Sequence, residues 1–218
     1  MQTPPLKVVA ALLCSYAPLA QTSQIPKPDR IVRDTTIMST HDPSITIQLP
    51  KDARYVGADR LVLYNIADCE IQVFVQADEH RNVKQLYWVQ FEGYLPSLPD
   101  MHHTYDSPRH LQISGLDFYV DTWVRAADAP TRSGSDREHV TKLLESHGYK
   151  MPPNTMDVRL VHLLDDQKRK ELMIIYSEDL APTGLTAAEL DKDGKAHSQW
   201  PSLENGLIQR AKEKIQLH

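Results

Sequence analysis

The segment between residues 92 and 110 carries the clearest candidates for chemistry in this sequence. Three of the ten histidines, His102, His103 and His110, lie in it, and Glu92 precedes them. Imidazole and carboxylate groups bind zinc and other divalent metals, and histidine also transfers protons near neutral pH. We therefore predict these four residues as ligands of a divalent metal such as Zn²⁺ or as acid–base groups.

A structural interpretation competes with this one. Adjacent histidines in an extended segment point in opposite directions, so His102 and His103 need not converge on one site. A polar segment containing proline, aspartate and histidine is also typical of a solvated loop. The sequence identifies no catalytic residue.

Aromatic side chains form a second candidate site, for a small apolar or aromatic ligand. The residues predicted to contact such a ligand are Tyr87, Trp88, Phe91, Tyr94, Tyr119 and Trp123. If the strands that carry them pair, these groups gather on one part of a sheet, where some can line a cleft. Filling of the hydrophobic core is the competing interpretation.

The elements that must position these groups are mainly strands. Alternating apolar residues at 71–77 and 83–94 flank a polar turn, which predicts a hairpin. The second of these strands has apolar residues on both parities, which is typical of a strand covered on both faces. Another hairpin is predicted over 157–176, with 172–176 apolar enough for a central strand.

Two longer helices and one irregularity are also predicted. Ser135 followed by Glu138 has the spacing of a capping box at the start of a mid-chain helix. Ser202 is predicted to begin a C-terminal amphipathic helix. The parity of the apolar positions switches at Ser114-Gly115, which indicates a β-bulge.

The order of elements predicts an α+β fold. We expect a single antiparallel β-sheet built mainly from hairpins, with the mid-chain helix and the C-terminal amphipathic helix packed on it. Residues 30–218 are predicted to form one domain. Strict alternation of strands and helices is missing, which disfavours a doubly wound nucleotide-binding fold.

The N-terminal segment has the order of a secretory signal peptide. A short basic region, an apolar run at 8–14 and small residues before Ala20 predict a signal over residues 1–20. Residues 21–29 are polar and rich in proline, as in a linker. This pattern predicts a secreted or periplasmic protein, and a core-packed or disordered tail is the alternative.

Composition limits the classes of function. The chain has 218 residues, 24 Lys+Arg against 29 Asp+Glu, and a formal net charge of −5. This charge disfavours nucleic acid as a partner. No run of about 18 apolar residues exists, so we expect no integral membrane span after signal cleavage. The two cysteines are too few for a disulfide-rich scaffold.

The sequence therefore favours an exported, single-domain, non-catalytic binding or accessory protein without a cofactor. Its partner would be a small apolar or aromatic ligand or another protein, which could dock on an exposed strand edge. The alternative is an exported enzyme, metal-dependent or using His and carboxylate acid–base groups, with its site in the 92–110 loop. No P-loop, G-x-S-x-G or H-E-x-x-H motif is present.

Overall fold

A computed structural model describes residues 27–218 of the chain. The predicted signal peptide and residues 21–26 of the predicted linker lie outside the described residues. The strands are β1 (Ile31–Arg33), β2 (Thr36–Thr40), β3 (Ser44–Gln48), β4 (Arg54–Leu63), β5 (Ala67–Ala77), β6 (Val83–Tyr94), β7 (Arg109–Ile113), β8 (Leu116–Ala126), β9 (Asn154–Leu163), β10 (Lys170–Asp179) and β11 (Gln216–Leu217). The α-helices are α1 (Asp136–Ser146), α2 (Ala187–Leu190) and α3 (Trp200–Lys214).

The described strands form two antiparallel sheets, so the prediction of a single sheet is wrong. The larger sheet has seven strands in the order β4-β5-β6-β10-β9-β8-β7, and the smaller has the order β1-β2-β3-β11. The small sheet packs its apolar side chains, such as Ile37 and Ile47, into a core that it shares with the large sheet. Local alternation predicts a strand but does not say which sheet it joins. β11, at the C-terminal end of the described residues, pairs with β3, which precedes it by about 170 residues in the sequence.

Both predicted hairpins are confirmed, and they form the middle of the large sheet. β5 pairs with β6, β9 pairs with β10, and β6 pairs with β10, which is the fourth of the seven strands. Side chains on both faces of these strands are buried: Tyr87 and Ile174 on one face, Trp88 and Met173 on the other. The two-parity pattern of β6 therefore does reflect cover on both sides.

The predicted bulge at Ser114-Gly115 is wrong. These residues form the two-residue turn between β7 and β8, and both have positive φ, 51° and 82°. Positive φ at both central positions is the requirement of a tight hairpin turn of type I′. The parity switch therefore marks the reversal of the chain and not an extra residue in one strand.

The two aromatic strands do not pair. β6 has β5 and β10 as neighbours, whereas β8 has β7 and β9. The β9–β10 hairpin separates them because its apolar residues occupy the centre of the sheet, where both faces are covered. The expected gathering of aromatic residues from β6 and β8 on adjacent strands is thus not formed.

The helices cover opposite faces of the large sheet. The Ser135 side chain caps α1 by accepting from the Glu138 N–H, as predicted, whereas the Glu138 carboxylate accepts from the Gly134 N–H and so does not complete a capping box. Val140 and Leu144 of α1 are buried. α3 begins two residues before the predicted Ser202 and packs on the other face together with the small sheet. None of the helices in the described part is long and apolar enough to cross a membrane.

We expect Ile174→Ala to lower the free energy of unfolding by about 2–5 kcal/mol, because it opens a cavity in the centre of the sheet. Ile174 has no exposed surface. The control is Val62→Ala on the edge strand β4, where Val62 is 40% exposed and a loss below about 1 kcal/mol is expected. Urea unfolding of both variants measures the difference, and equal losses would contradict the assignment of β10 to the core.

Candidate functional site

The register between two central strands brings two carboxylates together. Glu92 near the end of β6 lies directly opposite Glu171 near the start of β10. Opposite residues in an antiparallel pair have Cβ atoms about 4.5–5.5 Å apart. Both side chains lie on the face of the sheet that α1 covers, and Glu171 is 2% exposed.

The loop between β6 and β7 supplies the third member of this cluster, His103. Nδ1 of His103 lies 3.0 Å from Oε2 of Glu171. One ligand atom each from Glu92, His103 and Glu171 fall within 4.8 Å of one another. His103 is buried, and its Nε2 has no hydrogen-bond partner among the described residues. We refer to these three residues as the Glu–His–Glu cluster.

Aromatic and charged neighbours enclose the cluster. The Tyr105 hydroxyl donates to Oε2 of Glu171 at 2.6 Å, and the Tyr94 ring packs on the His103 ring with centroids 4.4 Å apart. The Arg159 guanidinium lies over the Tyr105 ring, 5.0 Å from its centroid. Tyr105 and Tyr94 therefore contact two members of the cluster directly, and Arg159 packs on Tyr105.

A ladder of hydrogen bonds links the cluster to the middle of β6. Trp88 Nε1 donates to Gln90 Oε1 at 2.9 Å, and Gln90 Nε2 donates to Glu92 Oε2 at 2.7 Å. All three side chains point to the same face because strand residues two apart share a face. This ladder orients one carboxylate oxygen of Glu92 and satisfies a buried amide.

Arg169 fixes the loop that carries His103. Its guanidinium donates to five backbone carbonyls of residues 94–101, those of Tyr94, Leu95, Leu98, Pro99 and Met101, at 2.6–3.4 Å. The His103 N–H donates to the Lys168 carbonyl at 2.7 Å. The basic tip of the β9–β10 turn, which by sequence resembles an ordinary charged turn, thus positions a member of the cluster.

Burial controls the charges in the cluster. It raises the pKa of Glu92 to about 8, with a further contribution from the charge of Glu171, and raises the pKa of Glu171 to about 7. It lowers the pKa of His103 to about 4. At neutral pH the imidazole is neutral, and the two carboxyl groups cannot both ionise without cost unless a cation joins them.

The structure brings two of the four predicted metal ligands together, Glu92 and His103. His102 is exposed and its Nδ1 lies 3.2 Å from the Asp100 carbonyl oxygen. His110 is exposed on β7 and packs against the Tyr119 ring. The two adjacent histidines do point in opposite directions, as expected for extended backbone, and burial alternates from 102 to 105.

Sequence reasoning missed Glu171, the third member of the cluster. Glu171 is a carboxylate at the start of a continuous apolar strand. An acidic residue in that position is the one sequence signal of a buried polar group there. Its pairing with Glu92 depends on the β6–β10 register and has no local signature. Tyr105 and Arg169, which hold the cluster and its loop, were also missed.

The predicted ligand-contacting aromatics are dispersed. Tyr87 and Phe91 are buried in the core on the α3 side, and Trp88 is buried on the α1 side. Tyr94 packs on His103, and Tyr119 lies between Tyr105 and His110. Trp123 is partly buried, and its Nε1 has no hydrogen-bond partner within residues 27–218.

The raised carboxyl pKa values predict a pH-dependent stability. Both groups titrate near pH 4.3 in an unfolded chain, so the folded state binds their protons more tightly. The contribution of the two protonated carboxyl groups to the free energy of unfolding is complete below that pH. It is lost as the pH rises towards 7–8. The Glu92→Gln variant has no carboxyl group to ionise at this position, so it avoids this loss. The free energy of unfolding of the variant, relative to that of the wild type, should therefore rise by about 1–3 kcal/mol between pH 5 and pH 8. Urea unfolding with chelator present measures this, and a pH-independent difference would contradict it.

Arg169→Ala should release the loop before His103. We expect faster hydrogen exchange at residues 95–103 and a loss of about 1.5–3 kcal/mol in the free energy of unfolding, since hydrogen bonds to a charged donor disappear. Gln167→Ala, an exposed neighbour in the same turn, is the control. Exchange mass spectrometry measures the loop directly. Equal exchange in the two variants would show that Arg169 does not hold it.

Comparison with known proteins supplies no analogy for this cluster. Neither a protein family, nor a curated protein, nor a solved structure shows significant similarity to the chain. The function must therefore be inferred from the chemistry of the residues that the fold brings together.

Proposed function

We propose that this protein binds one divalent transition-metal ion, Zn²⁺ being the best candidate, through Glu92, His103 and Glu171. The proximity of one donor atom from each residue, within 4.8 Å, is the observation that carries the proposal. An imidazole with two carboxylates is a common donor set for zinc, and three protein ligands leave a position for water or a further ligand.

Charge supports the same proposal. Two carboxylates on adjacent strands repel each other when ionised, and the charge of Asp136 at the start of α1 raises the pKa of both, although Arg159 acts in the opposite direction on Glu171. A divalent cation neutralises the pair and removes this cost. Residues around the cluster also orient the proposed ligands, since Gln90 donates to the Glu92 carboxylate and Tyr105 donates to the Glu171 carboxylate.

Access to the cluster is consistent with exchange of a small ion. Glu92 and Tyr94 border a cavity of about 240 Å³ that Arg30, Asp68 and Lys170 also line. Glu92 is less buried than His103 and Glu171. An ion would enter at the Glu92 end, where charged side chains line the cavity.

We propose that the protein that binds this metal ion is an exported binding or accessory protein. The signal-like order of residues 1–20 and the absence of a standard catalytic motif in the sequence support this proposal. A non-catalytic carrier or a metal-stabilised domain needs only the three ligands and no substrate cleft.

Acid–base catalysis at the same cluster is the second candidate. Glu92, Glu171 and His103 have pKa values moved apart by their surroundings, to about 8, 7 and 4, and groups separated in this way are typical of acid–base pairs. The cavity beside Glu92 gives a small substrate somewhere to bind. A cluster that binds no metal would favour this candidate.

The test is Zn²⁺ and Co²⁺ binding to the full chain after treatment with chelator and its removal. We expect one ion per chain by calorimetry, and a Co²⁺ absorption spectrum of low coordination number. His103→Gln and Glu171→Gln should each weaken binding by about a hundred-fold or more, since loss of even an outer partner costs 10–100-fold.

The matched controls are His102→Gln and His110→Gln, two exposed histidines of the same segment. Both variants should bind the ion as the wild type does. Absence of stoichiometric binding, or an equal loss in His102→Gln and His103→Gln, would contradict the proposed site.

A further inference from the structure

A separate cavity of about 360 Å³ lies between α1 and the large sheet. It is enclosed by α1, by the segment 149–152 that follows the helix, by the loop 127–131 after β8, and by Thr155 of β9. Small-molecule sites measure roughly 300–1,000 Å³, so the cavity is large enough for a small organic ligand. Three of its apolar wall residues are Leu144, Met151 and Pro152.

Two arginines, Arg125 and Arg137, line this cavity. Five other arginines pair with a carboxylate: Arg30 with Glu70 at 3.1 Å, Arg60 with Asp68 at 2.7 Å, Arg109 with Glu204 at 2.8 Å, Arg159 with Asp121 at 2.7 Å, and Arg210 with Glu178 at 2.8 Å. Among residues 27–218, neither Arg125 nor Arg137 has a carboxylate oxygen within 4.0 Å. Nε of Arg125 is buried and makes no hydrogen bond there.

The charges of Asp157 and Asp136 act on Arg137, and that of Asp157 also acts on Arg125, although neither acid lies within 4.0 Å of either guanidinium group. Asp157 is the buried acid nearest in sequence to the wall, and its carboxylate accepts from Thr155 at 2.9 Å. Burial raises the pKa of Asp157, and burial together with the charge of Arg125 lowers that of Arg137. At the rim, exposed Lys150 and exposed Glu145 balance each other. A carboxylate in the cavity would contact the two guanidinium groups directly, which neither acid does.

We propose that this cavity binds a small organic carboxylate with an apolar body. The carboxylate would pair with Arg125 and Arg137, because planar guanidinium groups match carboxylate geometry. The apolar body would lie against Leu144 and Met151. A narrower recess that shares these wall residues continues towards Trp88 and Ile175, which gives the far end of the ligand an apolar surface.

The size and polarity of the cavity define the ligand further. At about 30 Å³ per water-sized atom the cavity holds roughly a dozen non-hydrogen atoms. Its apolar walls disfavour strongly hydrated anions such as inorganic phosphate. A medium-chain monocarboxylate such as octanoate meets both conditions. This inference goes beyond the proposed metal site and does not depend on it, since the two sites share no residue.

The experiment is calorimetric titration of the full chain with octanoate, octanamide and inorganic phosphate. We expect octanoate to bind in a one-to-one ratio. Octanamide, which has the same body without the charge, should bind at least about ten-fold more weakly because a charge-assisted contact is lost. Phosphate should not compete at equal concentration.

Variants separate the two parts of the site. Arg125→Gln combined with Arg137→Gln should weaken octanoate binding about ten- to a hundred-fold. Thr141→Leu, on the α1 wall, should weaken octanoate and octanamide alike because it fills the cavity and leaves the charges unchanged. The control is Arg132→Gln, whose guanidinium lies on the Tyr64 ring outside this cavity.

Thermal unfolding checks that each variant is folded. If the double arginine variant does not fold, the comparison of octanoate with octanamide and the Thr141→Leu variant still decide the question. The proposal would be overturned if octanoate does not bind the wild type at millimolar concentration. It would also be overturned if octanamide binds equally well, or if the folded double variant binds octanoate as the wild type does.

Discussion

Burial of both faces of the central strands is the constraint on which the rest of the structure depends. β6 and β10 lie in the middle of a seven-stranded sheet. α1 and the 95–108 loop cover one side of it, and α3 and the small sheet cover the other. Polar side chains on such strands must find partners within the protein. The Trp88–Gln90–Glu92 ladder and the contact of Tyr105 with Glu171 are the result.

The two faces of the large sheet are used differently. On the α3 side, the small sheet and α3 close over a continuous apolar core. On the α1 side, cover is divided between the 95–108 loop and α1. The Glu–His–Glu cluster lies beneath the loop, and the cavity with Arg125 and Arg137 lies beside the helix. A face covered by two separate segments leaves space that a single packed layer would fill, which is why both candidate sites occur there.

Electrostatics distinguishes these two sites. The Glu–His–Glu cluster combines two carboxylates with a neutral imidazole, so it favours a cation. The cavity is lined by two guanidinium groups that have no ion-pair partner among residues 27–218, so it favours an anion. Loops and helix termini, and not the strands alone, supply one member of each site: His103 from the loop and Arg137 from the first turn of α1.

Sequence periodicity predicted those features that local backbone geometry controls. The hairpins, the double-sided burial of β6, the Ser135 cap and the central position of 172–176 are all consequences of side-chain spacing, and all are confirmed. Failures came where the same pattern fits two structures: Ser114-Gly115 is a turn and not a bulge, because a chain reversal and an inserted residue both switch parity.

By itself, the sequence predicted metal ligands in the 92–110 segment and indicated that adjacent histidines there need not converge on one site. Only the tertiary structure decided that Glu171 joins Glu92 and His103, that the β9–β10 hairpin separates the aromatic strands, and that Arg125 and Arg137 share a cavity. The physical reason is that strand register and strand order depend on how two apolar faces are buried at once. That is a property of the whole sheet and not of any one segment.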